Sequence, residues 1–341
     1  MNGREQALRA WLASAGRQGA RLEPLAGDAS GRRYFRLAST RARKGAVLMD
    51  ARVSAPEQLC RFARISNHLR ALDLSAPAIF VCDPEAGFML LEDLGDGVFS
   101  RVLENEPSQE QALYARAVDV IAKIQSAPAP EELSEYSPTV MADAIAPVFD
   151  WYLVGTGISK QDLKSVCQAE IRAALDNCSA GNPVLSLRDF HAGNLMWLPE
   201  RKRLSAVGLL DFQDAVICHP AYDLVSLLED ARRDVGEETR RQAVRRFAEH
   251  SGLSEASLSA DLHVLGAQRN LRILGVFARL CLEQGRDGYI DLLPRVWANL
   301  VRDLSHPRLF GLRSVLADTL PKPTAAMLKR LRSICAEHLV L

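Results

Sequence analysis

The 341-residue chain has no excess of charge of either sign, since 42 lysines and arginines balance 42 aspartates and glutamates. It therefore lacks the one-sided field with which many proteins attract nucleic acids or anionic membrane surfaces. It also lacks any run of about 18 uncharged apolar residues, the length that a membrane-spanning helix needs. We expect neither a nucleic acid nor a membrane as a partner.

Paired cysteines are also missing, because the seven cysteines are scattered and no two of them are separated by two residues. This favours reduced thiols over a zinc knuckle or a disulfide framework. The first residues, MNGREQALRAWLASAG, carry charges throughout and lack the apolar core of an export signal. We expect a cytoplasmic protein, and a monomer.

Hydrophobic patterning divides the chain into a β-rich first domain, residues 1–94, and a mainly helical second domain, residues 95–341. Strands are predicted at 21–25, 33–38, 46–51, 79–83 and 88–92, with a helix opened by Pro56 between the third and the fourth. Helical patterns follow at 108–126, 140–154, 161–177, 222–231, 237–250 and 262–283. The short apolar runs PVLSL, NLMWL and LSAVGLL predict a small β-patch within the helical part, so the fold class is α+β.

The β-patch contains the residues that are most informative about chemistry. Asp189 lies in the loop after its first strand, Asn194 begins the second, and Asp211 ends the third. Phosphoryl transfer needs a carboxylate at the attacking hydroxyl and oxygen ligands for Mg²⁺. Each residue alone could be an ordinary turn residue. The three together predict that Asp189 is catalytic, that Asn194 and Asp211 bind Mg²⁺, and that the cofactors are ATP and Mg²⁺.

Two further segments are candidates for nucleotide binding. The first is a small polar turn in GDASGRR, whose main-chain N–H groups can approach phosphates and whose arginines can add charge, although a glycine turn can also be a plain hairpin. The second is the acidic strand end in GFMLLEDLG, which can present main-chain groups to an adenine ring. The candidate residues are Gly27, Asp28, Ala29, Ser30, Gly31, Arg32, Arg33, Glu92, Asp93 and Leu94. His191, within the catalytic loop, can contact substrate or phosphate.

At GDASGRRYFRL, LLEDLGD, LRDFHAGNLMWL, GLLDFQDA, LLEDARRDV and QRNLRILGVFARL the sequence resembles the aminoglycoside phosphotransferase and choline kinase family. Within that family it is most similar to bacterial kinases that phosphorylate N-acetylmuramate and N-acetylglucosamine at the anomeric C1 hydroxyl during cell-wall recycling. The resemblance covers about residues 21–310. It implies a two-lobed protein-kinase-like fold and an ATP-dependent kinase acting on a small-molecule amino sugar.

The resemblance also implies that Asp28, Asp214, Asp230, Arg232 and Arg233 lie near the sugar or the phosphates, although the last three could form a solvated helix face. Two positions depart from the family pattern. Leu187 stands where a histidine is usual, and Met49 stands where the small-lobe lysine is expected. An aminoglycoside, choline or another small hydroxyl compound remains an alternative substrate, and an inactive nucleotide-binding regulator remains an alternative function.

Overall fold

The computed structural model describes residues 3–25, 32–38, 45–51, 56–158, 162–179 and 181–338. The chain forms two compact units. The first comprises Met1–Asn105 and Asn194–Ala215, and the second comprises Glu106–Gly193 and Val216–Leu341. Within the described residues no helix is long and apolar enough to cross a membrane.

The helices and strands are numbered in chain order. The helices are α1 (Gly3–Ser14), α2 (Pro56–Ala71), α3 (Phe99–Asn105), α4 (Glu110–Gln125), α5 (Pro138–Asp143), α6 (Val154–Thr156), α7 (Asp162–Asp176), α8 (Tyr222–Leu228), α9 (Glu237–Ser251), α10 (Glu255–Gln284), α11 (Leu293–Leu304), α12 (Phe310–Ala317) and α13 (Ala325–His338). The strands are β1 (Leu22–Leu25), β2 (Arg33–Leu37), β3 (Ala46–Asp50), β4 (Ile79–Asp83), β5 (Phe88–Glu92), β6 (Val184–Ser186), β7 (Leu195–Trp197), β8 (Val207–Leu209) and β9 (Val216–Cys218).

The first unit is built on an antiparallel five-stranded sheet in the order β1-β2-β3-β5-β4. The expected sequence of three strands, a helix and two strands is confirmed, and each strand end lies within one residue of its predicted position. Leu8 and Leu12 of α1 pack with Leu37, Leu48 and Leu90 on one face of this sheet. Each fully buried leucine contributes about 2 kcal/mol of hydrophobic stabilisation. The packing of α1 therefore stabilises that face of the sheet.

The hairpin of β7 and β8 belongs to the first unit, although the sequence-based boundary after residue 94 assigned it to the second. Main-chain hydrogen bonds account for this grouping, because Trp197 N donates to Gly97 O at 2.6 Å and Leu209 N donates to Ser75 O at 2.9 Å. At Gly97 a Cβ atom would lie 2.4 Å from the Trp197 carbonyl oxygen. The close approach of these two segments of the chain therefore requires glycine at position 97.

The second unit is mainly helical, with α10 as its long buried helix. Ser254 caps the first turn of α10 by accepting the N–H of Ser257, and Gly285 ends the helix in the left-handed region at φ 66°. These caps extend the helix beyond the predicted 262–283. The helix predicted over 140–154 is wrong as one element, because α5 stops at Asp143 and a π-helical turn, Val148–Leu153, follows Pro147. Proline cannot donate the N–H that a continuous helix needs.

Candidate active site

The loop that carries Asp189 is held by the carboxylate of Asp223 on α8, within the second unit. Asp223 accepts hydrogen bonds from Ser186 Oγ at 2.7 Å, Leu187 N at 2.8 Å and Arg188 N at 2.9 Å. The side chain of Asp223 is almost completely buried. Arg188 has φ 67°, an unfavourable conformation for a residue with a Cβ atom. The three hydrogen bonds therefore hold the chain in a strained turn directly before Asp189.

Cationic groups surround the Asp189 carboxylate. Burial alone would raise the pKa of this carboxyl group, but the nearby charges of three arginines, Arg272, Arg269 and Arg188, outweigh burial and hold the pKa below its ordinary value. Asp189 is consequently ionised at neutral pH. An ionised carboxylate can accept a hydrogen bond from an attacking hydroxyl and then its proton.

His191 lies near Asp230 in the same unit. The His191 ring is almost fully buried, and its Nδ1 lies 4.0 Å from Asp230 Oδ2. Nδ1 accepts the main-chain N–H of Gly193 at 3.2 Å, an arrangement that fits the neutral tautomer protonated on Nε2. Burial lowers the pKa of His191, which also favours the neutral ring. His191 can thus donate a hydrogen bond from Nε2 without carrying charge.

The Asp230 carboxylate is buried and only partly used by the protein. Its Oδ1 accepts the main-chain N–H of Arg232 at 2.8 Å, whereas Oδ2 has no hydrogen-bond partner among the described residues. A buried carboxylate oxygen without a donor is costly. This oxygen is suited to accept a hydroxyl group of a ligand.

In the first unit, Asn194 directly precedes β7 and Asp211 follows β8, so both lie at the open end of the β7–β8 hairpin. Leu210 N donates to Asn194 O at 3.0 Å, and Asn194 Nδ2 lies 3.4 Å from Asp211 Oδ2. Gln213 Nε2 donates to Asp211 Oδ1 at 2.7 Å, and Asp211 itself has φ 55°. The structure thus brings together the two residues that the sequence predicted as metal ligands.

The chemistry of this pair fits Mg²⁺. Asp211 offers carboxylate oxygens, and the amide of Asn194, whose O and N ends are assigned from hydrogen bonding, can turn its oxygen toward the same cation. Across the described ranges no group of three or more His, Cys, Asp or Glu side chains could hold a metal. Mg²⁺ typically uses one or two protein carboxylates and takes its other ligands from phosphates and water. Two protein ligands are therefore sufficient for a nucleotide-bound metal.

The strand end predicted to contact adenine borders a cavity of 510 Å³ within the first unit. Its lining includes Glu92, Asp93 and Phe80. The Glu92 carboxylate accepts hydrogen bonds from Arg201 Nη2 at 2.6 Å and Ala78 N at 3.1 Å. The volume lies within the range of ligand pockets, but the Glu92 side chain is already committed to the protein.

The remaining predicted residues are described only in part. Gly27, Asp28, Ala29, Ser30 and Gly31 lie outside the described residues. Arg32 is buried and donates to Gln58 Oε1 at 3.2 Å. Arg33 forms an ion pair with Asp50. Leu94 packs beside Gly208, and Asp214 is exposed on the first unit. The nucleotide- and sugar-binding roles of these residues stay predictions.

Comparisons with known proteins give the family. A model of the phosphotransferase enzyme family matches residues 21–258. The chain belongs to this family. It is 35% identical to an N-acetylmuramate/N-acetylglucosamine kinase of Caulobacter vibrioides, over 91% of this chain and 95% of that protein. It is 31% identical to a protein of the same name from Pseudomonas putida, over 87% of this chain and 88% of the other.

Solved structures confirm the fold. Choline kinase LicA from Streptococcus pneumoniae superposes with a TM-score of 0.62 at 13% identity, covering 87% of this chain and 99% of that chain. The gentamicin complex of APH(2'')-IIa superposes with a TM-score of 0.61 at 13% identity, covering 89% and 97%. The predicted α+β, protein-kinase-like fold is therefore confirmed, as is the resemblance to aminoglycoside phosphotransferases and choline kinases.

Sequence reasoning missed Asp223, Arg269 and Arg272, although all three act on the Asp189 loop. Asp223 carries a visible signal, because it is a single carboxylate within the apolar helix YDLVSLL. Arg269 is buried in α10 and donates to Ser226 Oγ at 2.9 Å. Charged residues inside an apolar pattern seldom lie in a core without a partner, so these interruptions mark places to look for a buried polar network.

Proposed function

We propose that this phosphotransferase is a cytoplasmic sugar kinase that transfers the γ-phosphoryl group of ATP to the anomeric hydroxyl of N-acetylmuramate or N-acetylglucosamine. The ionised Asp189 carboxylate, on a loop that Asp223 holds and near the charges of three arginines, is the observation that supports transfer to a hydroxyl. The names of the relatives, at up to 35% identity over nearly the whole chain, support the choice of sugars.

Phosphoryl transfer to the sugar needs a base, a metal ion and groups that bind the sugar, and different residues supply each of these. Asp189 accepts the proton of the C1 hydroxyl while that oxygen bonds to the γ-phosphorus, the bond from phosphorus to the β–γ bridging oxygen breaks, and ADP leaves. An anomeric hydroxyl is more acidic than an ordinary alcohol, so a carboxylate is a sufficient base. Asn194 and Asp211 would hold Mg²⁺, which when bound neutralises charge on the phosphates. His191 and Asp230 provide a donor and an acceptor for hydroxyl groups of the sugar.

The test is an ADP-release assay with ATP, Mg²⁺ and a panel of N-acetylmuramate, N-acetylglucosamine, glucose, choline and kanamycin. Reducing-end reactivity of the product is measured in parallel, because phosphorylation at C1 removes the reducing end and phosphorylation elsewhere leaves it. Turnover of the N-acetyl sugars to non-reducing products is expected. Asp189→Asn should lower kcat by about 10²–10⁴-fold, the usual contribution of a general base.

Asp176→Asn is the matched control, since this carboxylate is about half exposed on α7 and, among the described residues, makes only a local ion pair with Arg172. It should leave turnover unchanged. A phosphorylated sugar that keeps its reducing end would contradict C1 as the acceptor. Turnover only with choline or kanamycin would contradict the sugar assignment, and ATP binding without turnover of any acceptor would favour a nucleotide-binding regulator.

A further inference from the structure

Two adjacent arginines, Arg232 and Arg233, lie in opposite environments within the second unit. Arg233 donates from Nη1 to Tyr114 Oη and from Nη2 to Glu110 Oε2, both at 2.8 Å. The same Glu110 side chain accepts Gly236 N at 3.0 Å and Thr239 Oγ1 at 2.8 Å. Arg233 therefore ties the chain before α9 to α4, and its charge is used within the protein.

Arg232 is exposed, and its guanidinium makes no hydrogen bond or ion pair with any described residue. Only its main-chain N–H is engaged, by Asp230 Oδ1. Its side chain nevertheless lies close to the Asp189 loop, because a Cβ atom at Gly193 would be 4.0 Å from Arg232 Cδ. The positive charge of Arg232 lowers the pKa of His191, an effect smaller than those of burial and of Asp230. Arg232 thus places an available cation beside the candidate sugar-binding residues.

The two sugars of the proposed function differ by one charged group. N-acetylmuramate carries a lactyl ether at O3 that ends in a carboxylate, whereas N-acetylglucosamine has a neutral hydroxyl there. A buried arginine left without a partner would penalise the neutral sugar strongly, because an uncompensated buried charge is costly. An exposed arginine remains solvated by water when the neutral sugar binds. Exposure of the cation is therefore what an enzyme that accepts both sugars requires.

We propose that Arg232 is a specificity-determining residue that binds the lactyl carboxylate of N-acetylmuramate, while Arg233 only holds the segment in place. This inference rests on the proposed function, and it assigns the two arginines different roles that the sequence alone does not separate. A guanidinium matches a carboxylate with two parallel hydrogen bonds. Its contribution should appear with N-acetylmuramate and be absent with a sugar that lacks the carboxylate.

The test measures kcat/KM of the wild type, Arg232→Ala and Arg232→Lys with three acceptors: N-acetylmuramate, its methyl ester and N-acetylglucosamine. The ester keeps the size of the lactyl group and removes its charge. For Arg232→Ala we expect a loss of about tenfold with N-acetylmuramate, the lower end for a charge-assisted hydrogen bond, and a change below about twofold with the other two. Arg232→Lys should restore part of the loss, and only the N-acetylmuramate reaction should weaken with salt.

Arg233→Ala is the matched neighbour and should lower the melting temperature and the rates with all three acceptors together. Arg172→Ala, an exposed arginine on α7, should change none of them. An equal loss for Arg232→Ala with acid and ester, or no loss with the acid, would overturn the role of Arg232 while leaving the proposed function intact. A wild type that phosphorylates neither sugar would instead remove the proposed function and this inference with it.

Discussion

Replacing Asp223 by alanine should show how far the catalytic loop depends on one buried carboxylate. The change removes the acceptor of two main-chain N–H groups, Leu187 N at 2.8 Å and Arg188 N at 2.9 Å. A buried donor left without its acceptor costs about 1–3 kcal/mol. Leu187 N would lose its acceptor, whereas Arg188 N would keep a longer hydrogen bond to Ser186 Oγ at 3.3 Å. We therefore expect a loss of about 2–4 kcal/mol in the free energy of unfolding.

The same change should lower activity beyond its effect on stability. Arg188 adopts φ 67° only because the surrounding hydrogen bonds hold it there. Without them the turn can relax and move Asp189, and a misplacement of about 1 Å can cost about 10²-fold in rate. We expect kcat to fall by about that factor for molecules that remain folded, with little change in the KM for ATP.

The assay combines urea unfolding followed by circular dichroism with steady-state kinetics at a temperature where the variant is folded. Ser186→Ala is the matched control, because it leaves both main-chain hydrogen bonds to Asp223 in place and removes only those of the hydroxyl, to Asp223 at 2.7 Å and from Arg188 N at 3.3 Å. It should cost about 1 kcal/mol and hardly change kcat. A folded Asp223→Ala variant whose kcat stays within about threefold of wild type would refute the positioning of Asp189 by Asp223.

Two further predictions concern Asp211 and a buried carboxyl pair. Asp211→Asn should raise the Mg²⁺ concentration needed for half-maximal turnover by about tenfold or more, because it removes a charged oxygen ligand; an unchanged Mg²⁺ titration would contradict the metal role. Asn270 Nδ2 donates to both Glu229 Oε2 at 2.7 Å and Asp303 Oδ2 at 2.9 Å, and burial raises the pKa of Asp303 well above its ordinary value. The stability that protonated Asp303 contributes is complete below the ordinary carboxyl pKa and is lost as pH rises through the raised pKa. Asp303→Asn should therefore flatten the dependence of the free energy of unfolding on pH, measured by urea unfolding. An unchanged dependence on pH would contradict this prediction.

Much of the first unit could be predicted from local sequence. Its strands are short apolar or alternating runs bounded by turn residues, and turn signals act over only a few residues. Asp189, Asn194 and Asp211 could be found for the same reason, because each lies within three residues of a short strand. Their functional meaning depended on the spacing of the three rather than on any one of them.

Contacts between distant parts of the chain could not be predicted in this way. The different environments of Arg232 and Arg233 depend on Glu110 and Tyr114, more than 100 positions earlier in the chain. Asp223 lies 34 residues after Asp189, and no local pattern links the two. Tertiary packing decides which of several similar polar side chains is buried and which remains available.

The pairing of β2 with β3 decides what Arg33 binds, close to the position where the small-lobe lysine is missing. Arg33 lies opposite Asp50 in the β2–β3 ladder, and its guanidinium forms an ion pair with the fully buried Asp50 carboxylate. Arg4 of α1 binds the other oxygen of the same carboxylate at 2.6 Å and lies over the Phe88 ring.

Strand alternation places Arg33 on the same side of β2 as Phe35 and Leu37, which pack in the cluster with α1. On that side Arg33 and Arg4 of α1 bind the same Asp50 carboxylate, and a role of Arg33 at the phosphates would compete with this ion pair. Met49, the residue that stands in place of the lysine, points to the opposite face from Asp50. The cation that serves the nucleotide phosphates should therefore be sought by mutating Arg32 before Arg33, since Arg33 is held by the buried Asp50 carboxylate and Arg32 directly follows Gly31 in the sequence.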